Sequence, residues 1–327
     1  MGFFSGSEVL VTGGTGSFGQ SFVQRLVKSD SPSRIVVFSR DELKQSEMKA
    51  KLENHSAVRF FIGDVRDRWR LTRAMKGIDY VVHAAALKQV DTAEYNPFEY
   101  VATNISGSQN VVDASIDSGV NKVIALSTDK ASSPINLYGA TKLVADKVFQ
   151  SANNYAGKQD TRFSVVRYGN VMGSRGSVVP YFKTLAKSGQ PLPITDSRMT
   201  RFWISLDQAV DFVLSSFPIM GGGEIFVPKI PSMKVTDLAD AIFPGGGTVA
   251  SGIRPGEKLH EEMISTDDSR RTIELEDRYV ILPTIQRRSY SGPNGRAVPD
   301  GFGYRSDTNT NWLTKEELRA LADVLDT

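Results

Sequence analysis

Cysteine is absent from the 327-residue chain. Its absence excludes disulfides, thiolate nucleophiles and cysteine-ligated metals. Histidine is scarce too: His55, His83 and His260 are all there is, with no close pair and no HExxH pattern. No metal site is expected from such a set. No apolar run is long enough to span a bilayer, and no signal-peptide pattern opens the chain. The net charge of +2 gives no excess of one sign that would suit a nucleic-acid partner. No internal repeat is visible. These absences predict a reduced, soluble, cytoplasmic protein without nucleic-acid or membrane partners. What remains is ordinary globular composition, 40% hydrophobic and 23% charged, with length for one large and one smaller domain.

The most informative stretch lies near the N-terminus. Val9-Leu10-Val11 runs into Thr12-Gly13-Gly14-Thr15-Gly16-Ser17-Phe18-Gly19, and a helix-compatible segment follows at once. This predicts a buried parallel strand, a tight turn and a helix whose free N–H groups face a pyrophosphate. Gly13 permits the turn, Gly16 lets the backbone approach phosphates, and Gly19 allows close helix–strand packing. The spacing is GxxGxxG rather than GxGxxG.

Further strands are predicted at 34–39, 58–63, 79–83, 122–127 and 163–167, separated by helical segments that include 104–118. The second strand ends in Ser39-Arg40, with Lys44 one turn beyond. Two cations and a hydroxyl suit a 2′-phosphate and favour NADP over NAD. The competing reading leaves Arg40 and Lys44 solvated, with Asp41 or Glu42 on a ribose. Asp64-Val65, after the third strand, offers a carboxylate and an amide to adenine, while helix capping competes for the carboxylates there. Ala84-Ala85-Ala86, after the fourth strand, are small enough for a cofactor to lie against backbone. His83 reads as a core or strand-end histidine rather than a catalyst. Asn104, at the start of its helix, is placed to reach the site's edge.

The fold class is therefore α/β, a Rossmann-type doubly wound parallel sheet with a smaller, discontinuous α/β substrate-binding domain. Residues 1–170 are read as the dinucleotide-binding domain, completed by about 205–228, where a helix (207–217) and a late strand (224–228) fall. Residues 171–204 and 229–285 form the substrate region: a loop at 173–180, a polar insertion at 191–204, a helix at 235–241 and a helical stretch after 254–258. Residues 286–327 form a Ser-, Gly- and Asn-rich tail ending in a short helix capped by Thr314. It docks on the body or on a neighbour.

The chemistry centres on the fifth strand. Tyr138 and Lys142 are spaced i, i+4 and share one helix face. A lysine beside a phenol stabilises the phenolate, which can take a proton from an alcohol while hydride leaves for a nicotinamide. Thr128 completes the set by hydrogen bonding the same alcohol. Asp129 and Lys130 go beyond alcohol oxidation. Beside a new ketone, a lysine can remove the acidified C–H proton and a carboxylic acid can protonate a departing hydroxyl. A strand-end ion pair or helix cap is the plainer reading. Arg201, Arg254 and Glu257 suit a diphosphate and ribose hydroxyls, against the alternative of surface salt bridges. Lys88, Asn170 and Arg175 belong to the same wall.

The segments TGGTGSFG, FSRDELKQSEM, FFIGDVRD, HAAALKQVDTAEYNP, LSTDKASSPINLYGATK, VVRYGNVMGSRGSVVP, ITDSRMTRFW, GGEIFVPKIPSM and IRPGEKLHEEMI carry a family likeness. Over residues 7 to about 265 the chain resembles the inverting UDP-N-acetylglucosamine 4,6-dehydratases, extended short-chain dehydrogenases/reductases of the pseudaminic acid pathway. The resemblance implies NADP kept through the cycle, with Arg40 and Lys44 near its 2′-phosphate and Asp64 near adenine. It implies that Tyr138, with Lys142 and Thr128, deprotonates the 4-hydroxyl as hydride leaves C4. Lys130 then abstracts the C5 proton, Asp129 acts as acid for loss of the 6-hydroxyl, and hydride returns to C6. Reprotonation on the opposite face gives UDP-2-acetamido-2,6-dideoxy-β-L-arabino-hex-4-ulose. Lys88, Asn170, Arg201, Arg254 and Glu257 match positions that hold the uridine diphosphate or sugar, and a homo-oligomer, dimer to hexamer, is implied. The alternative is a UDP-sugar 4-epimerase or reductase, which leaves Asp129-Lys130 unexplained. A redox-sensor role fits poorly, since Tyr138 and Lys142 are both intact.

Overall fold

A computed structural model describes residues 2–157, 160–173, 178–285 and 290–323. Seven parallel strands form the body of its main sheet: β1 Glu8–Thr12, β2 Arg34–Ser39, β3 Val58–Ile62, β4 Tyr80–His83, β5 Lys122–Thr128, β6 Arg162–Tyr168 and β10 Ile225–Pro228. Their spatial order is β3-β2-β1-β4-β5-β6-β10. The sequence reverses direction between β1 and β4, and that switch point opens the crevice in which such sheets bind ligands. The strands are continuous apolar runs because both faces are covered; Val9, Leu10, Val11, Ile35, Val36 and Val37 are fully buried.

The helices are α1 Ser17–Ser29, α2 Glu42–Lys51, α3 Arg68–Ala74, α4 Val90–Tyr95, α5 Pro97–Tyr100, α6 Gly107–Asp117, α7 Leu137–Tyr155, α8 Val178–Lys187, α9 Leu206–Ile219, α10 Val235–Ile242 and α11 Lys315–Asp323. Local chemistry sets several starts. Asp41, Asp67 and Asn136 accept backbone N–H bonds as N-caps of α2, α3 and α7, and Ser205 with Gln208 forms a capping box on α9. The helix expected from Asn104 begins earlier: α5 runs through a π-helical turn, Val101–Ser106, into α6.

Four expectations for the second half change. The loop at 173–180 gives way to α8 from Val178, because Pro180 suits a first helical turn and Val179 and Phe182 are buried. The polar insertion at 191–204 holds β8 Leu192–Ile194 and β9 Thr200–Ile204; β9 is wholly buried between β7 Asn170–Val171 and β11 Ser232–Lys234. Among the described residues from 259 to 285 a 3₁₀ turn at Thr266–Arg271 stands in place of the expected helical stretch. β13 Glu262–Ile264 pairs instead with β17 Tyr304–Arg305, burying Met263 and Ile264 in the main core. β8 also pairs with β12 Thr248–Ala250. Residues 272–281, expected among substrate-binding residues, extend the main sheet antiparallel as β14 Thr272–Glu274 and β15 Arg278–Ile281, with β16 Arg296–Ala297 at the edge.

The described tail docks on the body. Besides β16 and β17, α11 packs on α10, where Leu318 joins Val179, Trp203, Met233 and Leu238 in a second core. Burying one leucine there contributes about 2 kcal/mol. Thr314 caps α11 as expected, its hydroxyl accepting from Glu317 N at 3.2 Å while Glu317 accepts from Thr314 N at 2.8 Å.

Candidate active site

A cavity of about 560 Å³ runs over the carboxyl ends of β1, β4, β5 and β6. Gly13, Gly16, Ser17, Phe18, Gly19, Ala84 and Ala86 line one end, and Arg201, Arg254 and Glu257 the other. Thr128, Lys130, Tyr138 and Lys142 lie between them.

At the first end the backbone is shaped by glycine. Gly13 has φ +63°, and a Cβ there would fall 2.8 Å from the Ala85 backbone. A Cβ on Gly19 would fall 2.5 Å from Gly14 Cα, so α1 meets its own turn only through hydrogen atoms. Gly16 is the N-cap of α1 and no side chain caps that helix, which leaves its first-turn N–H groups to the cavity. This cradle fits a dinucleotide pyrophosphate. Thr12 lies behind it, fully buried, with Oγ1 2.8 Å from His83 Nδ1. Burial pulls the His83 imidazole down to about 3, so it is neutral, as a core histidine should be. The Thr15 carbonyl accepts from Gln20.

The adenosine end is built from paired charges. Gln45 donates to Ser39 Oγ at 3.0 Å. Arg40 lies 3.5 Å from Asp64, whose carboxylate also takes Arg66 at 2.8 Å, and Lys44 lies 2.7 Å from Asp41. The Arg40 side chain is 54% exposed and free to turn toward an anion. Val65 packs into the core.

The centre is densely charged. Thr128 Oγ1 donates to Asp129 Oδ1 at 2.9 Å, and the buried Tyr138 phenol lines the same cavity. Burial pushes that phenol up to about 12, although Lys130 and Thr128 pull the other way. Lys142 Nζ donates to the Leu126 carbonyl at 2.7 Å, and burial lowers its pKa against the opposing charge of Asp146. Lys130 is thus a cation acting on Tyr138 to which the i, i+4 spacing did not point. Lys130 Nζ lies 3.0 Å from Asp129 Oδ1, 3.2 Å from Glu261 Oε1 and 3.4 Å from Asn170 Oδ1. Burial depresses the ammonium, but the two carboxylates outweigh it and hold Lys130 above the ordinary lysine range. Asp129 is fully buried and its pKa is raised by that burial.

At the far end Arg201 lies 3.4 Å from Glu257 and 3.7 Å from Glu261, and Glu257 accepts from Arg254 N at 3.3 Å. Lys88 lines the cavity, half-buried and with its pKa lowered by that burial. Arg175 lies outside the described residues.

Two further side chains shape the site, Asn104 at its edge as expected and Glu261, which escapes local reading. Asn104 clamps the turn after β4: its Oδ1 accepts from Leu87 N and its Nδ2 donates to Leu87 O, both at 2.9 Å. Glu261 is 2% exposed and reaches Lys130 across 131 residues of chain. The consecutive acids Glu261-Glu262 were the only local hint. Ser306 brackets Glu261, accepting its N–H on Oγ at 2.9 Å and donating its own N–H to the Glu261 carbonyl at 2.8 Å.

Fold and cleft together define a Rossmann-fold protein with a dinucleotide cradle continuous with an acid–base cluster. Residues 9–283 match the family described as polysaccharide biosynthesis protein, and the chain belongs to that family. It is 57% identical over 324 residues to a Campylobacter jejuni UDP-N-acetylglucosamine 4,6-dehydratase (inverting), covering 96% of this chain and 97% of that one. It is 40% identical to a UDP-glucose 4-epimerase of Rickettsia akari, covering 99% and 97%. Among solved structures, Pen from Bacillus thuringiensis superposes with a TM-score of 0.90 at 39% identity, covering 99% of both chains. DesIV, a dTDP-glucose 4,6-dehydratase from Streptomyces venezuelae solved with NAD and TYD bound, gives 0.70 at 25% identity, covering 77% and 86%.

Proposed function

We propose that this protein is an NADP-dependent lyase that removes water across C5 and C6 of UDP-N-acetylglucosamine, inverts C5, and yields UDP-2-acetamido-2,6-dideoxy-β-L-arabino-hex-4-ulose. The observation that carries the reading is Asp129-Lys130 at the end of β5, with Lys130 lining the cleft beside Tyr138 and Asp129 buried directly behind it against Thr128 and Lys130. Retention of the cofactor and entry of the product into pseudaminic acid synthesis belong to the same reading, as do a cytoplasmic setting and a homo-oligomer.

The dinucleotide would supply an acceptor that takes hydride from C4 and returns it to C6. The glycine turn and α1 would hold its pyrophosphate, and Arg40, freed from Asp64, with Lys44 would meet a 2′-phosphate. Tyr138 would take the 4-hydroxyl proton, with Thr128 holding the same oxygen. Lys142, fixed on the Leu126 carbonyl, would orient the nicotinamide ribose. Lys130 would remove the C5 proton. Asp129, whose burial favours its protonated form, would give a proton to the leaving 6-hydroxyl. Lys88, Asn170, Arg175, Arg201, Arg254 and Glu257 would hold the nucleotide and sugar. In domain terms residues 1–170 and about 205–228 would bind the cofactor, and 171–204 and 229–271 would contribute the substrate wall, 272–281 belonging to the main sheet.

Epimerisation at C4 is the second reading, favoured by the Rickettsia akari likeness. It needs Tyr138 but neither the acid nor the base at 129–130. Incubation with UDP-N-acetylglucosamine in deuterated water, followed by NMR, separates the two. A 4-keto-6-deoxy product of L-arabino configuration with deuterium at C5 is expected. A product of unchanged mass formula sinks the dehydratase reading, and a D-xylo product sinks inversion.

A further inference from the structure

Lys130 is held in the state a base must leave. Lys130 Nζ donates to Asp129 Oδ1 at 3.0 Å and to Asn170 Oδ1 at 3.4 Å, and Glu261 Oε1 lies 3.2 Å away as an ion-pair partner, a setting made for an ammonium. An ammonium has no lone pair with which to take a proton from carbon. Some group must receive the Lys130 proton before the C5 step.

Asp129 Oδ2 and Glu261 Oε2 are both buried without a hydrogen-bond partner. Asp129 already has a task that needs its own proton, and one carboxyl group cannot hold two. Glu261 remains. Its backbone is fixed on both sides by Ser306, so its carboxylate is aimed at Lys130 from a rigid mount. Burial pushes its pKa up, but Lys130 first, then Arg201 at 3.7 Å and the nearby Lys258, outweigh it and keep it ionised while the cleft is open.

We propose that Glu261 is a positioning residue that takes the proton of Lys130 when substrate covers the cleft, so that the working base is a Lys130 amine backed by a Glu261 carboxylic acid. This rests on the dehydratase reading above. One N–H bond of Lys130 breaks, its electron pair stays on Nζ, and an O–H bond forms on Glu261. Two opposite charges vanish and the total is unchanged. The freed pair then takes the C5 proton, and the C5–H electrons move toward the 4-keto oxygen. The trigger is desolvation. The Lys130 side chain is 23% exposed in the open cleft, and a sugar over it removes the water that favours an ion pair over a neutral pair. The groups facing Lys130 are Asp129, Glu261, Arg201, Lys258 and Tyr138; those facing Glu261 are Lys130, Arg201, Lys258 and Asp129.

The test uses the full chain loaded with NADP and UDP-N-acetylglucosamine deuterated at C5, from about pH 6 to about pH 9. The wild-type C5 step should be flat with pH, because the proton stays inside the pair. Glu261→Gln should slow C5 cleavage at neutral pH by about tenfold or more and enlarge the primary isotope effect at C5. Its rate should climb by about tenfold per pH unit, since Lys130 must then lose its proton to solvent. Glu261→Asp should restore the flat profile at a reduced rate. A Glu261→Gln enzyme with wild-type rate and profile overturns the proposal. So does a uniform loss with an unchanged isotope effect and profile, which would mark a purely structural carboxylate. If Glu261→Gln does not fold, Glu261→Asp decides: a flat profile with a larger isotope effect supports the pair, and an unchanged isotope effect overturns it. Failure of the underlying reading looks different. Wild-type protein would then release no water, or Lys130→Ala would keep full C5 exchange, and either result overturns both.

Discussion

Arg167 on β6 and Asp146 on α7 form an ion pair at 3.0 Å with both side chains almost fully buried. Ser127 donates to the same Asp146 oxygen at 2.9 Å, and Arg167 also donates to the Met263 carbonyl at 2.9 Å. The pair therefore ties the strand that carries Thr128, the helix that carries Tyr138 and the segment that carries Glu261. Asp146→Ala should cost about 3–5 kcal/mol by leaving a buried guanidinium uncompensated. Denaturant unfolding checks this, and a loss under about 1 kcal/mol would show that the pair adds little.

Gly13→Ala adds a methyl group where the backbone is left-handed and Ala85 is already in contact. We expect about 1–3 kcal/mol of destabilisation and a clear loss of dinucleotide affinity. Gly6→Ala is the control: its φ is +73° but nothing lies within 4 Å. It should show the backbone cost without the loss of binding. Equal binding by both variants would remove Gly13 from the cradle.

Cofactor choice turns on Arg40. Arg40→Ser should weaken NADP binding by about tenfold or more and leave NAD nearly unchanged, because a 2′-phosphate loses a charge-assisted partner and a 2′-hydroxyl does not. Titration of both dinucleotides by protein fluorescence is the check. Equal losses for the two would count against the 2′-phosphate reading.

His83 predicts a stability profile. Its folded-state pKa lies below the unfolded value near 6.5, so the unfolded chain binds the extra proton between about pH 3 and about pH 6.5. Its contribution is complete above the unfolded pKa and is lost as pH falls toward the folded one, by up to about 1.4 kcal/mol per pH unit. His83→Asn should be less stable than wild type near neutrality and should lose less stability between about pH 6.5 and about pH 4. Parallel profiles would assign the acid sensitivity to other groups.

Tyr138→Phe should abolish proton removal from the 4-hydroxyl while leaving nucleotide binding intact, since it removes one oxygen and keeps the ring packed with Ala93 and Tyr100. Loss of turnover by about two orders of magnitude or more, with unchanged UDP binding, is expected. Turnover within tenfold of wild type would move the role elsewhere.

The parallel half of the sheet was legible because its signals are local. Apolar runs such as Val9–Val11 and Ile35–Phe38 meet glycine or polar strand ends within a few residues, and YxxxK declares a helix face by itself. The second half resists such reading for a physical reason. β9 looks polar, with Thr200 and Arg201, yet is buried because β7 and β11 and the Glu257 and Glu261 carboxylates enclose it. The segment around Glu261 has helix-like spacing, but pairing with β17, some 40 residues later, overrides it. At the site, Asp129, Lys130 and Tyr138 could be read from spacing, and Glu261 could not, because its partner is remote in sequence.

The clasp of Ser306 on Glu261 sets when this protein becomes competent as it leaves the ribosome. Chains emerge from the N-terminus, and the glycine turn and six of the parallel strands are finished by residue 168. The carboxylate facing Lys130 gains its mount only after residue 306 arrives. A nascent or C-terminally clipped chain could therefore grip a dinucleotide while its acid–base cluster is incomplete. Competence for the chemistry would then wait on the segment that carries Ser306, long after the cradle is made.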